Sequence, residues 1–459
     1  MTALKNLNTM YRIGFTIMLL FVFFSFAAGQ GLFEEALNGG VPENSYQETF
    51  SLNGYGGGAA YFGGEDFDYG SLFGEFVLQG RISGGGAFLF GDVRFRDGLF
   101  FGERDTRVQL KEAYAGIRWR NADVFLGNQI VRWGRTDGFN PTDNINPHDY
   151  FLLTADPDDQ LIGNFMLRTR IRPFTNTELE VIAIPFYKPS VYKYELFDMG
   201  KGVRFTDNIL PETDISNGSF AARFNIELPS LGFALSYFRG YDPFYGFGLE
   251  SAGFLPEIDI VYRPEVYRKD ALGFDMSMSA GSWIVRLEAA YNITSDYRYN
   301  MHIPNPDLYY VGALERSIAG VNTIFQYTGK YVADFNPLEQ PALPDPDDPM
   351  DRYRYALETV TYESTLYNRR IFLQQKEFNH ALFVSLSRSF MYEEVRVEFS
   401  AYYNITSEEY FMRPELTWNA RDGLQISAGA YFMNGPDDSI YHMAGSVLGG
   451  FFTGIRMSF

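Results

Sequence analysis

The chain contains no cysteine, so no disulfide framework can hold it together. Beyond its first thirty residues it lacks any uncharged apolar run of about 18 residues, the length that a membrane-spanning helix needs. Positive charge is in the minority, with 38 Lys and Arg against 57 Asp and Glu and a formal net charge of −19. A surface of that sign repels phosphate backbones, so nucleic acid is excluded as a partner. Histidine is scarce: His148, His302, His380 and His442 stand apart, in neither an H-E-x-x-H spacing nor a close pair. No metal site is expected from them. No G-x-S-x-G elbow occurs, and Gly56-Gly57-Gly58 and Gly84-Gly85-Gly86 lack the lysine and helix of a phosphate loop. The expectation is a protein without catalytic residues or cofactor, not an enzyme.

What the chain has in quantity is aromatic residues and glycine. Phe, Tyr and Trp make up 17% of 459 residues, and Gly contributes 45. Disordered chains are poor in aromatics, so disorder is excluded. At the N-terminus, Lys5 and Arg12 precede an apolar run from Ile13 to Phe26, followed by Ala27-Ala28-Gly29. That is the layout of a cleaved secretory signal, and the run is short for a membrane span. Residues 1–29 are therefore expected to be a signal peptide, 30–48 a periplasmic lead-in, and 49–459 the body of an exported protein.

The body alternates with period two, the sign of half-buried strands. Val395, Val397, Phe399, Ala401 and Tyr403 oppose Glu394, Arg396, Glu398 and Ser400. Trp283, Val285, Leu287, Ala289 and Tyr291 oppose Arg286 and Glu288. Phe165, Leu167 and Ile171 oppose Arg168, Arg170 and Arg172, while Leu89, Val93 and Phe95 oppose Asp92, Arg94 and Arg96. Aromatic pairs at strand ends (Tyr61-Phe62, Phe100-Phe101, Phe186-Tyr187) read as membrane-interface girdles. Short turns such as Ser83-Gly84-Gly85, Pro229-Ser230 and Ala420-Arg421-Asp422-Gly423 alternate with long polar connections at 132–160, 188–216, 240–265, 295–316 and 337–378. Outer-membrane barrels join their strands in this way, with short periplasmic turns and long extracellular loops. The last strand alternates to a terminal Phe459, as in the assembly signal of bacterial outer-membrane barrels.

The fold class predicted is all-β, a transmembrane antiparallel β-barrel of about 18 strands, or 16 if one hairpin is dropped. The strands fall near 49–62, 72–82, 86–97, 106–119, 122–132, 161–173, 177–187, 217–228, 231–239, 266–281, 283–294, 317–326, 329–336, 379–390, 394–405, 407–419, 423–434 and 447–459. An even number leaves both ends of the barrel chain on the periplasmic side. The acidic, proline-rich stretch 341–353 reads as a solvated external loop.

The polar faces are expected to line the lumen. Arg94, Arg96, Arg168, Arg170, Arg172, Glu178, Glu180, Arg286, Glu288, Glu394, Arg396 and Glu398 form that set. Rings of mixed charge set selectivity in pores, and such charges also pair across strands to hold a wall together. The surplus of Arg over acid at 168–172 admits an anionic or sugar-acid solute, within a general expectation of a polar solute, anionic or saccharide. From Gly127 the chain reads GNQIVRWGRTDGFNPTDNINPHDY, where two Asn-Pro steps and an Asp-Gly imply a specifically folded loop. That loop is expected to constrict the lumen through Arg132, Trp133, Arg135, Asp137, Asn140, Asp143 and Asn146. Inward apolar positions at Phe88, Phe90, Ile182, Ile184 and Phe186 keep open a barrel for hydrophobic or lipid-like substrates. A non-conducting structural or adhesive barrel is the other alternative.

The stretch Gly127-x-Gln129-x-x-x-Trp133-Gly134-x-x-Asp137-Gly138 with Asn140-Pro141-x-Asp143, preceded by Lys111-Glu112-Ala113-Tyr114 and echoed by Gly281-Ser282-Trp283, resembles a family of porin-like Gram-negative outer-membrane barrels near the alginate exporters. The resemblance implies an 18-stranded porin-like channel for export or uptake, located in the cell outer membrane. Its partners would be outer-membrane lipid, the barrel-assembly machinery, a polar solute and an inner-membrane or periplasmic transport partner. Alginate exporters carry a strongly basic lumen, whereas the lumen set here mixes both signs.

Overall fold

The computed structural model describes residues 49–64, 66–197 and 199–459. The expected signal peptide and the 30–48 lead-in lie outside the described residues. Strands β1 (Thr49–Gly63), β2 (Tyr69–Gly84), β3 (Ala87–Phe100), β4 (Glu103–Arg118), β5 (Ala122–Gln129), β6 (Asn164–Ile171) and β7 (Thr177–Ile184) pair in sequence. A short strand β8 (Val203–Phe205) stands outside the barrel before β9 (Ser219–Glu227) and β10 (Leu231–Tyr241) rejoin it. β11 (Gly246–Gly253) and β12 (Asp259–Glu265) pair with β8 in a separate three-stranded sheet. The barrel continues through β13 (Arg268–Ala280), β14 (Trp283–Thr294), β15 (Asp307–Ile318), β16 (Val321–Val332), β17 (Phe378–Phe390), β18 (Val395–Asn404), β19 (Glu409–Arg421), β20 (Leu424–Asn434) and β21 (Gly450–Ser458). Antiparallel pairing of β1 with β21, from Tyr55↔Ser458 to Gly63↔Gly450, closes an 18-stranded sheet on itself and leaves it no edge.

Alternation decides which side of each strand meets lipid. Leu287, Leu167, Leu235 and Leu314 are more than 40% exposed, whereas Glu288, Asp275, Gln326 and Val77 on the other face are 0–1% exposed. A transmembrane barrel inverts a soluble protein in this way, with an apolar exterior and a polar interior. Since consecutive barrel strands alternate direction, every connection of more than ten residues emerges at the same end.

Several expectations are corrected. The hairpin expected at 317–326 and 329–336 is β15 and β16, which begin ten and eight residues earlier and turn at Ala319-Gly320, both with positive φ. The external loop before it therefore ends at 306, not 316. Val311, Ala313 and Leu314 belong to β15, where Tyr309 to Arg316 pairs with Thr323 to Lys330 and alternates between the two faces. The stretch 341–353 is not wholly loop. It runs into a 23-residue helix α1 (Pro349–Ile371), with Asp348 accepting the Met350 N–H as N-cap and proline at the first turn. Val360, Ser364, Tyr367 and Asn368 form its buried stripe, and Asn368 bridges the N–H and C=O of Phe247 in β11. A second helix α2 (Ile440–Leu448), capped by Ser439, occupies the start of the expected strand 447–459, which begins at Gly450. The aromatic girdle is also thinner than expected. Phe62 and Phe186 face outward, but Tyr61, Phe100 and Phe101 turn inward and are at most 9% exposed. Phe186 pairs with exposed Phe165 and is not a lumen residue.

The lipid-facing assignment is testable. Leu287→Arg should cost about 2–4 kcal/mol in urea unfolding from vesicles, the range for arginine on a lipid face near the midplane. Ser385→Arg, on the inward face of β17, should cost far less because its charge meets water.

Candidate functional site

The 130–163 connection between β5 and β6 folds back into the barrel. Its root is apolar. Val131, Trp133 and Ile145 pack on Met166, Ile182, Ile184, Ala221, Phe238 and Ala271, so the loop lies along the inner wall from β6 to β13. The inward isoleucines, which had kept a lipid-handling barrel open, are sealed under Trp133 and do not face an open lumen. The Trp133 indole N–H reaches Glu180 Oε2 at 2.6 Å, and Glu180 also accepts Arg168 at 2.5 Å and Arg170 at 3.1 Å.

The loop's tip is held by carboxylates on the far wall. Glu288, 1% exposed on β14, accepts five hydrogen bonds from it. Arg135 N–H (3.1 Å), Thr136 N–H (3.3 Å) and Thr136 Oγ1 (2.8 Å) donate to Oε2, while Thr142 N–H (2.8 Å) and Thr142 Oγ1 (2.9 Å) donate to Oε1. Arg135 then extends its guanidinium to Asp275 (2.6 Å), Asn225 (2.7 Å) and Glu227 (2.5 Å). Asp137 meets Arg286 at 3.0 Å. Phe139 reaches the opposite wall, 5.8 Å from the Phe383 ring and 4.7 Å from the Tyr402 ring. The return path is pinned as well: Arg413 donates to Ala155 O (2.7 Å), Tyr431 to Thr154 O (3.3 Å), and Arg94 to Asp159 (2.5 Å).

The motif residues explain this path. Gly134 has φ +95°, and a Cβ there would lie 2.1 Å from Asn140 Oδ1. Asn140 in turn donates to Trp133 O at 2.5 Å, which closes the tight bend. Gly138, at φ +80°, passes over the Phe383 ring. Asn146 accepts the Val131 N–H and donates to Gln129 O and Ile162 O, tying the loop's two ends together. A β-bulge in β4, where Asp92 pairs with Glu112 and Val93 with Leu110, points Lys111 and Glu112 together at the loop. Lys111 donates to Asp158 O and Glu112 accepts the Ile130 N–H.

The predicted site residues therefore divide. Glu180, Arg286 and Glu288 meet Trp133, Arg135 and Asp137 as parts of one network. Arg168, Arg170 and Arg172 share the wall, but Glu180, Asp123 and Glu178 pair with them, so the local Arg surplus is balanced. Arg94 and Arg96 are buried, the latter on Glu75, and do not line open space. Arg132 pairs with Asp158 in an exposed bridge. Arg396 and Glu398 pair at 2.8 Å near the start of β18. Glu394 is the correction: it precedes β18, exposed in the hairpin turn, because its N–H closes that turn on Met391 O. Asp275, Arg223, Glu227 and Glu112 were missed. The signal for Asp275 was present, since it alternates with Leu272, Phe274 and Met276 within β13.

Asp143 lies in the loop. Burial pushes its carboxyl up to about 7, against the lowering effect of Arg132 and of the Trp133 N–H. Its Oδ1 has no hydrogen-bond partner among the described residues. Also among the described residues, no three His, Cys, Asp or Glu side chains converge to hold a metal.

No protein-family model matches the chain, and no curated protein matches it in sequence. Its fold is similar to those of solved outer-membrane porins. OccAB3 of Acinetobacter baumannii is 9% identical, covering 89% of this chain and 99% of its own, with a TM-score of 0.51. OccAB4 and OccAB2 of the same organism are 11% and 10% identical, each with a TM-score of 0.51, covering 90% and 91% of this chain and 98% and 99% of their own. At these identities the likeness is one of fold.

Two predictions follow from the pinned loop. Glu288→Ala strands three buried backbone donors, the N–H groups of Arg135, Thr136 and Thr142, and should free the tip, at a cost of about 3 kcal/mol or more; trypsin cleavage after Arg135 in the folded barrel should rise accordingly. Asp143 supplies a pH dependence. Its raised value favours the packed loop when the acid is protonated, so that contribution is full below about pH 4 and lost as pH rises to about 7. Cleavage, expressed relative to an unstructured peptide digested at the same pH, should be faster at pH 8 than at pH 5, and Asp143→Asn should remove that normalised difference.

Proposed function

We propose that this protein is an outer-membrane channel for a small polar solute, taken up or exported without catalysis or cofactor. The observation that carries this reading is the loop at 130–163, fixed inside a closed barrel by Glu288, Asp275 and Glu180 of the wall. A loop held on both walls narrows a lumen without sealing it with a separate domain. Its charges then sit where a permeating solute must pass. Arg135, Asp137, Asn140, Asp143, Asn146, Trp133 and Arg132 are the constriction residues in this reading. Arg168, Arg170, Arg172, Glu178, Arg286, Arg396 and Glu398 are the wall they face.

A polar or saccharide solute is favoured because the inward charges are paired and close to balance. Paired groups keep hydrogen-bonding capacity without a strong field of one sign. The resemblance to alginate exporters supports the porin-like reading, and the balanced lumen supports a solute other than a polyanion. Export through a cleaved signal at 1–29, assembly directed by Phe459, and energy from the solute's gradient or an inner-membrane partner complete the reading.

Purified protein in a planar bilayer should give stable, stepwise conductance. Replacing 132–160 with a short Gly-Ser turn should raise that conductance several-fold. Unchanged conductance would remove the constriction role, and no conductance from protein shown to be folded would favour a structural barrel instead.

A further inference from the structure

Beneath the returning limb of the loop, toward the end of the barrel with short turns, lies a cavity of about 330 Å³. Its roof is Thr154 to Pro157, and its walls come from β1, β2 and β18 to β21. We infer that this cavity is a binding site for a neutral, polyhydroxylated solute, a short saccharide, on its way through the channel. The inference rests on the channel reading and names the solute class of that pathway.

The charges argue for a neutral ligand. Arg413 pairs with Glu415 at 2.7 Å and Arg396 with Glu398 at 2.8 Å. Arg456 lies 3.7 Å from both Asp156 and Asp159, and Glu75 is held by Arg96. An ion entering here would lose hydration and find no unpaired counter-charge, which is unfavourable. A hydroxyl can donate to the carboxylates and accept from the guanidinium groups without disturbing either pair. Arg413, a side chain 10% exposed that lines the cavity, keeps one buried donor, Nε, without an acceptor among the described residues, and a ligand hydroxyl seated against it would satisfy that donor. Gln425, Thr417 and Ser427 add uncharged polar groups. Tyr55 and Phe73 add apolar surface for the C–H side of a sugar ring. The volume lies at the lower end of small-ligand sites, roughly 300–1,000 Å³.

The test uses the whole barrel in two measurements. Single-channel current is recorded with sucrose, glucuronate or lysine added, and binding heat is measured calorimetrically on the detergent-solubilised protein. Sucrose should block the current in a saturable way, more tightly than glucuronate or lysine. Glu415→Gln, which leaves the Arg413 bond to the roof at Ala155 O in place, should raise the half-blocking concentration about tenfold, the loss of one charge-assisted hydrogen bond. Ser427→Phe, which fills the cavity, should abolish the block. Heat-modifiable gel mobility confirms that each variant is folded. Tighter block by glucuronate or lysine would overturn the neutral class. Conductance without saturable block or binding heat would overturn the site and leave the channel standing. Sucrose binding heat that both variants lose, in a protein that does not conduct, would uphold the site and remove the channel.

Discussion

Much of this structure depends on one buried carboxylate. Glu288 is almost fully removed from solvent, yet it faces no cation directly. Two N–H groups and two hydroxyls of the loop tip, with the Arg135 N–H, satisfy both of its oxygens. An ionised group in that position is tolerable only if it is fully hydrogen-bonded. The loop therefore satisfies the wall as much as the wall positions the loop, and neither is stable in its present form without the other. From this anchor Arg135 reaches Asp275, Asn225 and Glu227, and the loop becomes part of the barrel.

The rest of the loop follows the same logic with different chemistry. Its root is sealed by apolar contact around Trp133, its tip by carboxylates, and its return by Arg413, Tyr431 and Arg94. Because these anchors lie on opposite walls, the loop cannot swing away as a hinged lid without losing several buried interactions together. The chemical consequence is a lumen whose inner surface is set by paired charges.

The external end is built differently. β8, β11 and β12 form a small sheet of their own, and α1 packs on it through Phe247, Tyr367 and Asn368. Lys330 and Gln374 tie the chain after α1 to Asp307 at the start of β15. These elements draw on local turn and capping chemistry rather than on the barrel's alternation.

Strand alternation, the even count, the emergence of long loops at one end and the specific folding of 127–146 were all legible in the sequence. Each depends on local periodicity, or on residues such as Gly134 and Asn140 whose conformational roles are local. The helix α1 was legible in principle from Asp348-Pro349, but its polar, tyrosine-rich face hid it, because the buried stripe is made partly of Ser364 and Asn368. The β15–β16 turn at Ala319-Gly320 was not legible because it needs positive φ at a non-glycine residue, Ala319, which local sequence does not mark. What the sequence could not decide is who meets whom across the lumen. Arg135 and Asp275 are 140 residues apart, and Thr142 and Glu288 are 146 apart. Only closure of the barrel brings β13 and β14 opposite a loop that leaves β5. The sequence by itself determined that the charges point inward; the tertiary structure decided that they are spent on one another and on the loop, because a buried charge must find a partner wherever the closed wall supplies one.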